Sequence, residues 1–391
     1  MASVAYSIFI LSLFVFTIVD LNPVSSEFDE YFFIFGDGLY DSGNTGYLIP
    51  DEYLPVYHSP YGNTFFKHPT GRYSDGRTVA DFIGANFAYG ANFTYGANFA
   101  YGANFAYGAN FALNRSANFT YGANFASQGA SAFDIVQNHS LINFFLNFQL
   151  NFRSQIRLFS KLIEEWILIT QNITEIHRRL NKAVYLISIG TDDNLNSITE
   201  NTSVDDLESI ADQVVGNISD RIKALYDFGA RKFVVQNVPA LNLFPYIRQT
   251  RSPHVATLLM LVAAWELVKL PKKLQDIQEN DVFRGFNFTI FSYYIAIAEM
   301  RARPENYGLK ESNIACCGNS TFRGEGCGVL GHEYCVCGNK TEYLFFDGVH
   351  NTDAANEVLA QMMWNRTSGF VSPYGVEDFF GSDSTSLKSA A

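Results

Sequence analysis

The chain is short of basic charge. It carries 27 Lys and Arg against 39 Asp and Glu, a formal net charge of −12, and no basic block of the kind that tracks phosphates occurs. Nucleic acid is therefore not expected as a partner. Early in the chain there is also no apolar run of the roughly 20 residues that a membrane-spanning helix needs. Residues 8–19 are largely apolar but only twelve long. They fit the core of a signal peptide spanning residues 1–26, cleaved after Ser26, although no Lys or Arg precedes the run. No transmembrane segment is expected. Cysteine is absent before position 316, and all five, Cys316, Cys317, Cys327, Cys335 and Cys337, fall in one short stretch. In an oxidising compartment this reads as two local disulfides and one leftover thiol, with the pairing open. Adjacent Cys316 and Cys317 with Cys335-x-Cys337 depart from zinc-knuckle spacing, so no metal and no other cofactor is expected.

What is present points to a large core and a secretory route. Hydrophobic residues make up 48% of the 391, enough for one sizeable α/β domain, placed at residues 27–372, with residues 373–391 as a flexible tail. Eleven Asn-x-Ser/Thr sequons occur, at Asn92, Asn114, Asn118, Asn138, Asn172, Asn201, Asn217, Asn287, Asn319, Asn339 and Asn365. They agree with passage through the ER and would put those asparagines on the surface. The expected location is the secretory pathway, extracellular or endomembrane (ER body or vacuole).

Strand and helix signals alternate. Residues 32–35 are an apolar run ending in Gly36-Asp37, a buried parallel strand that leads through Gly38-Leu39 towards a helix. Residues 183–189, 232–235 and 288–294 read as further strands. Residues 79–83, 141–180 (one or two helices), 205–228, 255–270 and 353–363 read as helical. The alternation argues for a central parallel sheet covered on both faces, a three-layer α/β/α fold. From Gly369 onward the chain is expected to be mobile.

One segment does not fit this pattern. A hexapeptide, Ala-Asn-Phe-Ala/Thr-Tyr-Gly, recurs over residues 85–128 in seven copies starting at 85, 91, 97, 103, 109, 117 and 123, the fifth ending instead in Leu113-Asn114, with Arg115-Ser116 inserted after it, and the seventh in Ser127-Gln128. A period of six is even, so an extended chain would keep Phe and Tyr on one face in every copy, whereas a helix would scatter them. The array reads as a tandem expansion of a segment whose last copy, residues 123–126, belongs to the core.

The strand, tight turn and helix succession at residues 32–48 is where a hydrolase usually mounts a serine nucleophile. Here the position holds Gly38. Far along the chain Asp347 and His350 stand three apart, a spacing that lets a carboxylate hold an imidazole in one tautomer as an acid/base pair requires. Together with these, Phe35-Gly36-Asp37-Gly38-Leu39-Tyr40-Asp41-Ser42-Gly43-Asn44, residues 70–77, Asn124-Phe125-Ala126-Ser127, residues 189–193, residues 234–239, Ala315-Cys316-Cys317-Gly318 and residues 346–350 occur in an order that resembles the plant GDSL esterase/lipase family of the SGNH hydrolase superfamily. Residues 66–72 and 345–351 look most like its myrosinase-associated branch.

The resemblance implies an SGNH-hydrolase-like fold and an acyl-transfer site. A serine after Gly-Asp would attack an ester carbonyl. Asp347 and His350 would be its orienter and base. The oxyanion would be held by backbone amides and an asparagine. Carried onto this sequence, the dyad matches, but the nucleophile position is Gly38, the asparagine position is Asp192, and the second-motif glycine falls at Gln128 or, shifted by one, Gly129. The resulting expectation is a catalytically inactive glycoprotein that acts by binding, in complexes with β-glucosidase or myrosinase and jacalin-type lectins, its pocket still able to hold a small ester or lipid. The alternative is an active carboxylic-ester hydrolase using Ser42 or a bound water with His350.

Overall fold

The computed structural model describes residues 31–90, 122–134 and 150–380. The signal-peptide residues, five of the seven hexapeptide starts, the sequons at Asn92, Asn114, Asn118 and Asn138, and residues 381–391 lie outside that range. Strand β1 (Phe32–Gly36) is buried at every position. It pairs in parallel with β2 (Gly122–Asn124) on one side and β3 (Val184–Ser188) on the other. Next come β4 (Lys232–Gln236) and β5 (Asn287–Phe291), also parallel, and a short antiparallel strand, Val371–Ser372, closes the edge. Strands buried throughout need apolar residues on both faces, and β1 supplies them in alternation. Phe33 and Phe35 meet Phe159, with ring centroids 4.9 and 5.7 Å apart, while Phe32 faces the other way onto Phe380 at 6.1 Å.

Helices cover the sheet. These are α1 (Val79–Gly90), α2 (Phe152–Thr170), α3 (Ile173–Lys182), α4 (Thr191–Ser197), α5 (Val204–Asp227), α6 (Pro245–Thr250), α7 (Pro253–Glu279), α8 (Tyr293–Ala302) and α9 (Asp353–Trp364). Several starts are fixed by a side chain that accepts an otherwise orphaned backbone N–H. Asn151 caps α2, Ser252 caps α7 and Thr352 caps α9, and Ser203 with Asp206 forms a capping box on α5. The sheet flanked by helices is the fold expected from the alternation of signals.

The differences are local and have physical causes. No helix follows Leu39; the chain turns with Tyr40 N–H on the Asp37 carbonyl and reaches only a short 3-10 turn at Asn44–Tyr47. The Asp41 carboxylate draws in the N–H groups of Gly43 and Asn44 at 2.8 and 2.6 Å, competing with helical bonding. Helix α7 runs past the expected stop to Glu279 through Pro271, because Leu274 and Ile277 are buried beyond it. Strand β5 ends at Phe291, and Tyr293 and Tyr294 open α8 instead. The core does not stop at residue 372, since Tyr374, Val376 and Phe379 are buried; residues 373–380 are packed rather than part of a flexible tail.

The described ends of the hexapeptide array differ from each other. The first copy completes helix α1, against the extended reading, whereas Ala123 and Asn124 of the last copy lie in β2, with Phe125 and Ala126 buried after it. One sequence pattern takes two conformations because tertiary context outweighs propensity.

Cysteines 316 and 337 are bonded, as are Cys317 and Cys327, and Cys335 is free and exposed. Both disulfides staple the loop ahead of the Asp347 segment. Among the described sequons, Asn172, Asn201, Asn339 and Asn365 are exposed and Asn217 and Asn319 are partly so. Asn287 is not on the surface. It is fully buried in β5, with its amide on the Gly285 carbonyl at 2.9 Å. A glycan there is incompatible with the sheet, so peptide mapping of folded protein secreted from a eukaryotic host is expected to find Asn287 unmodified and glycans only at exposed sequons.

Candidate active site

The parallel register aligns the carboxyl ends of the strands: Gly36 pairs with Ser188, Ser188 with Gln236, and Gln236 with Phe291. That edge is where open α/β sheets collect functional groups. Gly36 is required for the alignment, because a Cβ there would stand 2.3 Å from the Ser188 carbonyl oxygen. The turns that follow contribute Asp37, Gly38 and Leu39 after β1, Gln128 after β2, Thr191 and Asp192 after β3, and Tyr246 and Arg251 from α6 after β4. With Val349 and His350 these line one cavity of about 290 Å³.

Asp347 and His350 form a tight pair. His350 Nδ1 lies 2.9 Å from both carboxylate oxygens of Asp347, and both residues are buried. The carboxylate also accepts the backbone N–H groups of Val349 and His350 and the Tyr61 hydroxyl, at 2.9, 2.8 and 2.7 Å. Burial acts to raise the Asp347 pKa, but the imidazole and these donors outweigh it and hold the carboxyl below its ordinary range. Tyr73 lies across the imidazole with ring centroids 4.6 Å apart. With the carboxylate taking the Nδ1–H, the neutral ring presents a bare Nε2 to the cavity.

Gly38 stands opposite that nitrogen. A Cβ built on Gly38 would lie 3.2 Å from His350 Nε2, so a hydroxyl one bond further out would come within hydrogen-bonding reach of the base. The space is taken by Gln128, whose Oε1 lies 1.8 Å from that Cβ position. This role of the Gln128 side chain was not legible in the sequence, where the position reads only as a backbone donor. The backbone N–H of Gln128 is committed elsewhere, to Asp41 Oδ2 and Thr45 Oγ1 at 3.0 and 2.9 Å, so Gln128 is not a free oxyanion donor. Gly129, the shifted alternative, has φ +73° and is not among the residues lining the cavity. Asp192 does line it, as the carried-over position requires. Ser42 does not; its side chain is buried, and its carbonyl accepts from Arg72 at 3.3 Å. The serine expected as an alternative nucleophile is therefore not among the residues that line the cavity with His350.

Four carboxyls gather behind the cavity. Asp37, Asp192, Asp193 and Glu266 are all raised above the ordinary carboxylate range, chiefly by burial. Asp37 and Asp193 add repulsion to Asp192, which the His350 ring partly offsets. Asp193 has donors: the Ser131 hydroxyl and the Ala132 N–H, which tie the loop after β2 to α4. Among the described residues no group of His, Cys, Asp and Glu is arranged to hold a metal ion. Tyr61, Tyr246 and Arg251 escaped the sequence reading because no spacing links them to the motifs, and Tyr73 lies within the segment at residues 70–77 but had no role assigned there; Tyr61 and Asp347 are 286 positions apart.

A carboxyl whose folded pKa lies above its unfolded value stabilises the protein at low pH and loses that contribution as pH rises through the folded value. Glu266, pushed up to about 8 first by burial, is the clearest case. The thermal midpoint is expected to fall between about pH 5 and pH 9, and Glu266→Gln is expected to flatten that decline in a pH series of melting curves.

Comparison with known proteins agrees with this geometry. Residues 32–363 match the family described as GDSL-like Lipase/Acylhydrolase. GDSL esterase/lipase 1 of Arabidopsis thaliana is 32% identical over 386 residues, covering 96% of each chain. A GDSL lipase of Tanacetum cinerariifolium is 32% identical, covering 91% of this chain and 89% of its own. Inactive GDSL esterase/lipase-like protein 25 of Arabidopsis thaliana is 29% identical over 94% of this chain and 78% of its own.

Proposed function

Since the chain belongs to the GDSL-like lipase/acylhydrolase family, we propose that it keeps that family's pocket and acid/base pair but acts by binding, with little or no ester turnover. The observation that carries the reading is Gly38. The base is in place and the backbone leaves its side-chain direction pointing at it, yet no hydroxyl is there, and the Gln128 amide occupies the space. Removing the nucleophile of a comparable triad costs about 2 × 10⁶ in kcat. Losing an oxyanion donor costs a further factor on the order of 10² to 10³, although such effects do not simply multiply. At the asparagine position Asp192 offers a carboxyl where negative charge would have to develop. A relative named as inactive, similar over most of the chain, supports the same reading.

The narrower part of the proposal concerns where and with what the protein works. Two disulfides and exposed sequons support a secretory or endomembrane location. Likeness of residues 66–72 and 345–351 to the myrosinase-associated branch supports assembly with β-glucosidase or myrosinase and jacalin-type lectins. Purification of the native protein under mild conditions is expected to bring such partners with it.

Activity assays separate this reading from a working hydrolase. Wild-type protein is expected to show background turnover of p-nitrophenyl esters and no labelling by a fluorophosphonate probe. The triple variant Gly38→Ser, Gln128→Gly, Asp192→Asn is expected to gain at least about 10² in turnover, and more than the variant that leaves Gln128 in place. Covalent labelling of the wild type would falsify the proposal.

A further inference from the structure

We propose that the cavity binds a primary ammonium group on a short apolar stem, with Asp192 and Asp37 as its anionic partners. This rests on the reading of the protein as a binder and names the class of ligand. Four acceptors without a donor converge on the cavity, which Thr191, Asn196 and Tyr246 also line. The Asp192 carboxyl has no hydrogen-bond partner among the described residues, and Asp37, only 1% exposed, has an Oδ2 without a hydrogen bond of good geometry, the Thr191 hydroxyl lying nearby. Gln128 Oε1 is buried and unpartnered, and His350 Nε2 offers a lone pair because Asp347 takes the other side of the ring. An ammonium carries three donors and a positive charge, which matches this set; an ester oxyanion or a carboxylate matches none of it.

The rest of the molecule shows how unusual the arrangement is. Several other buried carboxylates are paired: Asp81 with Arg72 at 2.8 Å, Asp353 with Arg77 at 2.8 Å, and Asp347 with His350; Glu266 also has an unpartnered Oε1 but does not line the cavity. A buried carboxyl left without a partner is costly, and a bound cation removes the cost. The only permanent cation among the lining residues, Arg251, is exposed and so does not serve the inner wall. Leu39, Leu195 and Val349 supply apolar lining for a stem, and about 290 Å³ suits a small molecule.

The test is a set of isosteric probes titrated calorimetrically into the full-length wild-type protein at about pH 8.5, where an alkylammonium, with a pKa near that of Lys at roughly 10.4, stays protonated. n-Butylamine is expected to bind roughly tenfold or more tighter than butanol, butyrate or butyltrimethylammonium, the last being a cation without N–H donors. The isosteric change Asp192→Asn is expected to abolish the preference while the unliganded melting temperature holds or rises. Butyrate binding as well as the amine, no preference among the four probes, or an amine preference that survives both Asp192→Asn and Asp37→Asn would each overturn the assignment. Fluorophosphonate treatment of the same preparation distinguishes the two levels. An unlabelled protein without amine preference overturns the ligand class and leaves the binding function standing, whereas a labelled protein overturns both.

Discussion

The in-register pairing of β1 with β3 is the constraint on which the rest depends. Because Gly36 has no side chain, the two backbones close at their carboxyl ends, and the Asp37 N–H reaches the Ser188 carbonyl at 3.0 Å. That single closure sets where the turn after β1 emerges relative to the first turn of α4. It therefore places Gly38 and Asp192 beside one another. The buried Gln155 of α2 reinforces it by bonding both backbone groups of Gly36, at 2.9 and 2.8 Å. The dyad arrives from the opposite end of the sequence and is held by a different device, two disulfides and the Tyr61 hydroxyl. The site thus joins two independently rigid parts, and rigid support of this kind is what a binding or catalytic pocket needs.

Within that frame the polarity of the pocket differs from that of an acyl-transfer site. An acyl-transfer site directs donors at a developing negative charge. Here the Gln128 N–H is turned to Asp41 and Thr45, and a carboxyl stands on the facing helix. The His350–Asp347 pair is undiminished by this, since the hydrogen bonds and ring contact that hold it come from its own loop, from Tyr61 and from Tyr73. An intact pair beside a cradle of acceptors fits the binding function proposed above, in which the pair serves the shape and charge of the pocket.

Much of the framework was legible in the sequence for a simple reason. β1, β3 and β4 are short, wholly buried parallel strands, so each is a continuous apolar run with a polar turn at its end, and the two cannot be confused. The helix at residues 204–227 was equally plain from its periodicity. Failures came where one side chain overrides local pattern. Asp41 unwinds the expected helix after Leu39, buried leucines carry α7 through Pro271, and the first hexapeptide copy joins a helix while the last supplies a strand. The site was legible at Gly38, Asp192, Asp347 and His350 because each sits in a motif of fixed order. Gln128 was legible as a position but not as a space-filling group, because which atom of a side chain occupies a void depends on the three-dimensional neighbours alone.

The glutamine amide that fills the space beside Gly38 also bears on descent. A serine introduced at position 38 by itself would enter space that Gln128 occupies and face a carboxyl, so that single step would bring no benefit that selection could hold. Recovery would need changes on three separate strand-end turns at once. On the binding function proposed above, these three positions would act together as a ratchet: a lineage that holds its guests without transforming them is free to explore new guests but not to resume the old trade.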